Sequence, residues 1–378
     1  MANPRINRRS MLRLSVLALT GTAIPIGRAL DASPPGFIPQ QQNRNSFPKV
    51  LAVPERIIRT VVGLRPYRSS GFVVRADSLG RKTIIHNYGH GGCGVTLSWG
   101  TAHLAAEHAL KTGQRQTAVL GCGAVGLATA RLLQDRGFDV TIYAKDLPPD
   151  TTSNIAGALW APVTLADSAK STPAFVRQLE QASRFVHRYF QNLVGERYGV
   201  RWVETFFIGD RSPSLPWEYA VTPDLSPITI LPQGSYPFPA PFASRIYTML
   251  IEPNVYLPAV LSDFRLRGGR IVVRDFPNLA SILRLRERIV VNCTGLGAKS
   301  LFNDNELVPI KGQLTVLVPQ PEVDYAFVST TSDVYMFSRR DGIILGGSHE
   351  EGVWTLEPSK IEAERIFKGH QEFFATLH

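Results

Sequence analysis

Apolar positions recur along this chain with two periods, and the switches between them mark its elements. Thr117–Leu120 is a short continuous apolar run, and Asp139–Tyr143 (DVTIY) is a second; both predict strands. Between them, Leu127, Ala130, Leu132 and Leu133 fall at helical spacing over Leu127–Arg136, and Gly137 stops that helix. Val95–Leu110 has the same spacing. So does Ser168–Tyr198, through Phe175, Leu179, Phe185 and Tyr189, and Ser359–Leu377 also reads as helical. Gly268–Val273 and Ile289–Asn292 read as further strands. A strand over Ser244–Pro253 would put Arg245, Tyr247 and Met249 on one face. Arg211–Pro241 is rich in proline and turn residues and reads as loop.

The first thirty residues follow another pattern. Arg5, Arg8, Arg9 and Arg13 precede an apolar stretch from Leu14 to Ile26, and small residues follow. Basic, apolar, then small is the order of a secretory signal. Adjacent Arg8-Arg9 before Met11-Leu12 has the form of a twin-arginine export signal, with Gly27–Ala29 and Asp31-Ala32 as candidate cleavage points. The bland alternative is a chance basic start before a buried helix. The apolar run is short of the ~20 residues that span a bilayer, and no later segment approaches that length, so stable membrane insertion is not expected. Residues 1–32 are therefore expected to be an export signal to the periplasm or beyond. Residues 33–50, polar and Pro-rich over Ser33–Lys49, are expected to be a linker.

Composition narrows the field. The chain has 378 residues, enough for two domains, and 44% hydrophobic against 19% charged residues excludes disorder. Its formal charge is +10, but residues 1–32 hold five arginines against Asp31 alone, so +4 belongs to the signal and +6 to the rest. The basic residues of Arg265–Arg288 have no interleaved aromatics, and no nucleic-acid partner is expected. Three cysteines are too few and too odd a number for a disulfide framework.

Candidate chemistry begins at the first strand–helix junction. Gly121-Cys122-Gly123-Ala124-Val125-Gly126 is G-x-G-x-x-G, set between a strand and a helix and followed by a second strand. Gly121 permits the tight turn, Gly123 lets backbone N–H groups reach a pyrophosphate, and Gly126 lets helix and strand pack. An acid should then take the ribose hydroxyls. Asp146 stands twenty residues past Gly126, with Lys145 beside it to blur the choice. Thr151, Thr152 and Ser153 offer hydroxyls suited to phosphate oxygens or to a helix cap. The motif alone does not separate NAD from FAD.

A second glycine-rich loop, Gly89 to Gly94, opens the Val95–Leu110 helix. Aimed at the N1/O2 edge of a flavin, that N-terminus would stabilise the anionic reduced ring. His86 and His90 lie four apart, but the glycines forbid a helix there and no third ligand is near, so no metal is expected.

Several motifs together resemble the D-amino-acid oxidase family: IIHNYGHGGCGVTLSWGT (Ile84–Thr101), AGALWAPV (Ala156–Val163), VNCTG (Val291–Gly295), Gly312-Gln313 and Leu345-Gly346-Gly347. The resemblance spans roughly residues 55–378. It implies an α/β fold: an FAD-binding, glutathione-reductase-type Rossmann-like domain with a mixed α+β substrate cap. The order of the motifs is unlike the family, in which G-x-G-x-x-G opens the chain and HNYGHGG closes it. Here HNYGHGG comes first and leads through Lys111–Gln116 into the G-x-G-x-x-G strand, the order of a circular permutation. The implied division is 51–165 with 285–300 for the FAD-binding domain, and 166–284 with 301–378 for the cap.

The resemblance also implies roles. FAD would lie against Gly121, Gly123, Ala124, Val125, Gly126, Lys145, Asp146 and Thr151–Ser153. Gly157, Leu159, Gly91, Gly92, Gly94, Val95, Thr96, Thr294 and Gly295 would complete its site. Arg65, in GLRP, would hold the substrate carboxylate with its planar fork. Tyr335 would complete that clamp, and the Gly92 carbonyl would receive the amine. Mammalian members carry a lid tyrosine four residues before the second of these; here Thr331 stands there. Cys93 would face the flavin pocket, as a packing residue or a reactive thiol. Arg245 facing inward would favour acidic D-amino acids, and Tyr247 or Met249 neutral ones.

The expected reaction is oxidative deamination of a D-amino acid to a 2-oxo acid and ammonia, with O2 or another electron acceptor reoxidising the flavin. A glycine- or sarcosine-type amine oxidase, a dehydrogenase with a respiratory acceptor, an idle flavin-binding protein and an NAD-dependent dehydrogenase are the alternatives. Homo-oligomer formation is left open.

Overall fold

A computed structural model of the protein describes residues 47–211 and 216–377. The stretch expected to be an export signal and most of the expected linker lie outside the described residues.

The strands are β1 (Ile57–Tyr67), β2 (Val73–Leu79), β3 (Lys82–Tyr88), β4 (Gln116–Leu120), β5 (Asp139–Ala144), β6 (Val200–Gly209), β7 (Thr229–Leu231), β8 (Phe242–Ile251), β9 (Arg270–Val273), β10 (Ile289–Asn292), β11 (Val308–Leu317), β12 (Tyr325–Ser329), β13 (Val334–Arg339), β14 (Gly342–Gly346) and β15 (Glu350–Glu351). The α-helices are α1 (Ser98–Leu110), α2 (Ala124–Asp135), α3 (Pro173–Gln191), α4 (Pro253–Leu266), α5 (Leu279–Leu283), α6 (Ala298–Leu301) and α7 (Lys360–Ala375).

Six strands make a sheet in the order β2-β3-β10-β4-β5-β9. The pairs β3/β10, β10/β4, β4/β5 and β5/β9 are parallel, and only β2 runs against its neighbour. Such strands are covered on both faces, which explains their unbroken apolar runs. One face meets α1, α2 and α4 through Ile85, Val119, Ile142, Val291, Leu127 and Leu257. The other covers Ile84, Leu120 and Val290 with Phe276, Ile282 and Leu285.

The second sheet has the order β1-β11-β14-β13-β12-β6-β8-β7, with β15 beside β11. Its pairs are antiparallel except β12/β6. One face packs Phe327, Met336 and Leu345 on Ile366 and Phe374 of α7. The other packs Leu314, Val316 and Phe337 on Leu159 and Ala161, the segment that leaves the dinucleotide motif.

Several elements differ from the pattern reading, each for a local reason. The helix expected over Val95–Leu110 starts at Ser98, because the Leu97 and Ser98 N–H groups donate to the Cys93 and Val95 carbonyls in a separate tight turn. The helix expected over Ser168–Tyr198 is the Asp167-capped turn Ser168–Lys170 and then α3, whose N-cap Thr172 accepts from Phe175 N. The expected linker ends early. Phe47 and Val50 are buried against Phe206, Phe238 and Tyr325, and the Tyr325 hydroxyl donates to the Pro48 carbonyl at 2.9 Å. Sheet membership also cuts across the expected domain boundaries. β9 lies in the 166–284 stretch yet extends the parallel sheet, and β1 lies in the 51–165 stretch yet edges the other sheet. Strand pairing between distant segments decides this, and chain order does not reveal it.

Candidate functional site

The C-terminal ends of the parallel strands and one face of the second sheet open onto a cavity of about 1110 Å3, at the top of the usual range for ligand sites. Every residue named above for the FAD site lines it, as do Arg65, Tyr335 and Gly92 of the substrate clamp. The glycine turn after β4, the end of β5 at Lys145 and Asp146, the Thr151–Ser153 turn, Gly157, Leu159, the Gly91–Thr96 loop, Thr294-Gly295, Arg65 and Tyr335 all face this one space.

The β4–α2 junction is built for close approach. Gly121 has φ +103°, and a Cβ there would stand 2.5 Å from the Cys293 carbonyl oxygen. A Cβ on Gly126 would strike the Gly121 carbonyl, and one on Gly123 would stand 2.9 Å from Ser153 Oγ. Gly123, the N-cap of α2, has no side chain to cap the helix. Ser153 Oγ instead accepts from Ala124 N at 3.0 Å, so a hydroxyl from another segment already sits where an anion would be received. The Thr151 hydroxyl donates to Asn154 at 2.7 Å and leaves the helix end to Ser153. Lys145 and Asp146 pair at 3.7 Å, both exposed at the cavity edge, and neither is set apart from the other. The bare glycine cradle, a helix start whose N-cap has no side chain of its own and the Ser153 hydroxyl beside it fit a dinucleotide pyrophosphate.

The second glycine loop is clasped by the segment after Leu159. Gly92 N donates to the Thr164 carbonyl at 3.5 Å, and a Cβ on Gly92 would stand 2.5 Å from Thr164 Oγ1. Thr164 itself holds φ +55°, which a β-branched residue rarely adopts. Glu218, buried, accepts from Leu165 N at 3.0 Å and anchors that clasp. Cys93 is wholly buried and donates to the Val163 carbonyl at 2.9 Å. Burial pushes all three thiols up, Cys122 and Cys293 to about 12, so Cys93 is a packing residue and not a reactive thiol.

The two histidines considered for a metal go separate ways. His90 stacks on Phe72 and pairs with Thr101 at 2.9 Å, and burial alone takes it down to about 3. His86 stands 3.1 Å from Asn292 and 3.2 Å from Asp77. No metal-ligand cluster occurs among the described residues.

Arg65 on β1 and Tyr335 on β13 are separated by β11 and β14, about 14 Å of sheet. They converge because the positions between them carry no side chain. A Cβ on Gly312 of β11 would stand 2.5 Å from Arg65 Nη2, and one on Gly346 of β14 would stand 2.5 Å from the Tyr335 hydroxyl. Both side chains thus lie flat across a glycine floor. The Tyr335 ring stacks on Phe337 at 4.9 Å. Arg65 Nη1 donates to the Ser348 carbonyl at 3.3 Å and stands 3.4 Å from His349 Nδ1.

Other expected residues lie elsewhere. Arg245 pairs with Glu204 at 3.1 Å, Tyr247 donates to the same carboxylate at 3.0 Å, and Met249 is buried against the helices. None of the three lines the cavity. Thr331, in the turn between β12 and β13, accepts from Asp210 N at 3.1 Å. Residues that pattern reading passed over do line the cavity: Lys299 and Ser300 after the CTG turn, and Trp354 and Leu356 after β15. Trp354 is 52% exposed in an acidic loop, and a lone aromatic there was the available signal.

The sequence profile of the FAD dependent oxidoreductase family (DAO) matches residues 21–108 and 116–377. A D-amino-acid oxidase of Rubrobacter xylanophilus is 31% identical over 263 residues, 66% of this chain and 74% of that protein. A human D-aspartate oxidase is 28% identical over 267 residues, 69% and 76% of the two chains. Among solved structures, an FAD-bound L-α-glycerophosphate oxidase of Mycoplasma pneumoniae is similar with a TM-score of 0.53 at 14% identity, covering 70% of this chain and 79% of the other. A glycine oxidase of Geobacillus kaustophilus matches with a TM-score of 0.50 at 15% identity, covering 67% and 76%.

Proposed function

We propose that this chain, which belongs to the FAD dependent oxidoreductase (DAO) family, deaminates a D-amino acid oxidatively, yielding a 2-oxo acid and ammonia. The observation that carries the reading is the pair Arg65 and Tyr335, laid over Gly312 and Gly346 and facing the dinucleotide cradle across one cavity.

Held in the cradle, FAD would supply the two-electron acceptor for the hydride of the substrate Cα, with O2 or another acceptor as the final oxidant. The protein's work is binding and orientation. Arg65 presents N–H donors to the substrate carboxylate, and the Tyr335 hydroxyl donates to the same group. The Gly92 carbonyl accepts from the substrate amine once that amine has lost its extra proton to water. No side-chain base is assigned: His90 and His86 are committed to Thr101 and to Asn292 and Asp77. Ser153 and the first N–H groups of α2 would receive the pyrophosphate, and Asp146 or Lys145 would meet the adenosine ribose.

A panel of D-alanine, D-aspartate, L-alanine, glycine and sarcosine tests this reading, with peroxide release and flavin absorption recorded together. Turnover of a D-enantiomer over its L-form is expected, and flavin-loaded protein that oxidises none of the D-amino acids refutes it. With Arg245 neutralised by Glu204, acidic selectivity would have to come from elsewhere.

Two further readings belong here. Residues 1–32 form a twin-arginine export signal, supported by Arg8-Arg9 ahead of the Leu14–Ile26 run. Arg8→Lys with Arg9→Lys should hold the protein in the cytoplasm, and unchanged export would refute the signal. The chain is also a circular permutation of its family, supported by the motif order and by the break in the profile match at 109–115, between α1 and β4. A gene that joins residue 377 to residue 47, keeping the buried Phe47 and Val50, and opens at Gly113 should yield soluble FAD-binding protein; an insoluble product would refute it.

A further inference from the structure

Arg65 is the cation on which the proposed chemistry turns, and its surroundings raise a question. An arginine side chain carries much rotamer freedom, yet a carboxylate clamp must hold one orientation to be useful. The glycine floor removes obstacles without fixing the fork. What fixes it is the segment after β14.

That segment is itself pinned at consecutive residues. Arg365 Nη2 of α7 donates to the Gly347 carbonyl at 2.5 Å, and Glu362 holds the same arginine at 2.9 Å. Gly347 has φ +153°, and a Cβ there would strike the Asp333 carbonyl, so this approach is open to glycine alone. Ser348 Oγ, buried, accepts from Gln313 N at 2.7 Å. With both residues held, the Ser348 carbonyl and His349 Nδ1 arrive on one nitrogen of Arg65, at 3.3 and 3.4 Å. Among the described residues, neither Nε nor Nη2 of Arg65 has a hydrogen-bond partner.

An arginine has only donors. The nitrogen of His349 that faces it must therefore be a lone pair, which makes the ring neutral with its proton on Nε2. His349 is exposed at its edge, but desolvation of the ring and then the Arg65 cation hold the imidazole below the ordinary histidine range, with Asp333 opposing this and Arg365 adding to it.

We propose that His349 is a positioning residue for substrate binding, its unprotonated Nδ1 holding Nη1 of Arg65 so that the rest of the fork is presented to the substrate carboxylate. The inference rests on the reading of Arg65 as the clamp. His349 is not asked to touch the reacting atoms.

The test compares His349→Phe, which keeps an aromatic ring without an acceptor, with His349→Asn, whose Oδ1 replaces Nδ1. Steady-state constants are measured with D-alanine and D-aspartate on FAD-loaded protein. His349→Phe is expected to raise KM about tenfold with kcat within about twofold, the size of one lost orienting hydrogen bond to a charged group. His349→Asn is expected to stay within about threefold of the parent KM. Histidine-selective 15N spectra should place Nδ1 of His349, identified by its absence in the variants, as a bare acceptor whose shift moves in Arg65→Ala. An unchanged KM in His349→Phe, an Asn variant no better than Phe, or a protonated Nδ1 would overturn the proposal. Arg65→Ala separates the two levels. If it leaves KM unaltered, the clamp reading fails; if it destroys binding while His349→Phe does not, only this inference fails.

Discussion

Gly312→Ala is the sharpest perturbation available, because it adds one methyl group beneath the clamp. The new Cβ would stand 2.5 Å from Nη2, 2.7 Å from Cζ and 2.8 Å from Nη1 of Arg65. Carbon contacts are comfortable from about 3.5 Å, so the guanidinium must recede by about 1 Å. It can do so, because the atoms in the way are the far end of a flexible side chain. The stability loss should therefore sit at the low end of overpacking, about 1 kcal/mol. The functional loss should be larger, since a misplacement of about 1 Å in a positioning group is worth about 100-fold, or about 2.7 kcal/mol, in kcat/KM. FAD affinity should change little, because Gly312 lies on β11 of the second sheet whereas the pyrophosphate cradle is the β4–α2 turn. The assay is kcat/KM with the best D-amino acid, beside flavin absorption and thermal unfolding. A fully flavinated variant with kcat/KM within about threefold of the parent would refute the reasoning, for Arg65 would then bind no carboxylate or need no fixed position.

The remaining expectations concern the cradle, the clamp, a salt-bridge network and one thiol. Gly126→Ala would drive a Cβ into the Gly121 carbonyl, where neither backbone can yield; purified protein should come without flavin, and a normal 450 nm band would count against the cradle. Arg65→Ala should keep the flavin and lose more than about 100-fold in kcat/KM, which single-turnover reduction of the flavin checks. Arg68 holds Asp304 at 2.8 Å and Glu306 at 2.7 Å, and Tyr88 donates to Asp304 at 2.7 Å. Burial raises both carboxyl groups, but the Tyr88 hydrogen bond and the Arg68 cation outweigh it for Asp304, and the Ser70 and Ser69 contacts with Arg68 do so for Glu306; both end below the ordinary range. A depressed carboxyl stabilises the fold above its unfolded value and loses that as pH falls through the lower folded value. Acid unfolding below about pH 4 should thus be shallower in Arg68→Ala, which should also lose about 3 kcal/mol at pH 7 in urea unfolding. Cys93, wholly buried, should resist a thiol reagent at pH 7 in the native state and react after unfolding; rapid native labelling of Cys93 would contradict its burial.

Much of the cofactor side was legible because it is local. A strand, a three-glycine turn and a helix lie within twenty residues, and one close approach, Gly126 to Gly121, is inside that unit, whereas Gly121 meets Cys293 and Gly123 meets Ser153 from other segments. Hydroxyls at 151–153 were visible as a cluster, though only the fold made Ser153, rather than Thr151, the group at the start of α2. The substrate side was legible only through resemblance. Nothing in the spacing of Arg65, Gly312, Tyr335 and Gly346 says that they share a surface.

The amino-acid sequence by itself determined the elements whose causes are short-ranged: apolar runs, helix periods, caps and glycine turns. It also determined which residue types were on offer for carboxylate, amine and pyrophosphate. Tertiary structure decided what depends on pairing between distant segments. Antiparallel register set two glycines between Arg65 and Tyr335 and let both side chains lie inward. Parallel pairing drew β9 out of the cap and into the dinucleotide sheet. A carboxylate on the neighbouring strand took Arg245 out of contention, because a charge is settled by its nearest partner, and strand pairing chose that partner. His349 came to face Arg65 for the same reason: the segment that carries it is pinned by α7 and β11, contacts that no local pattern encodes.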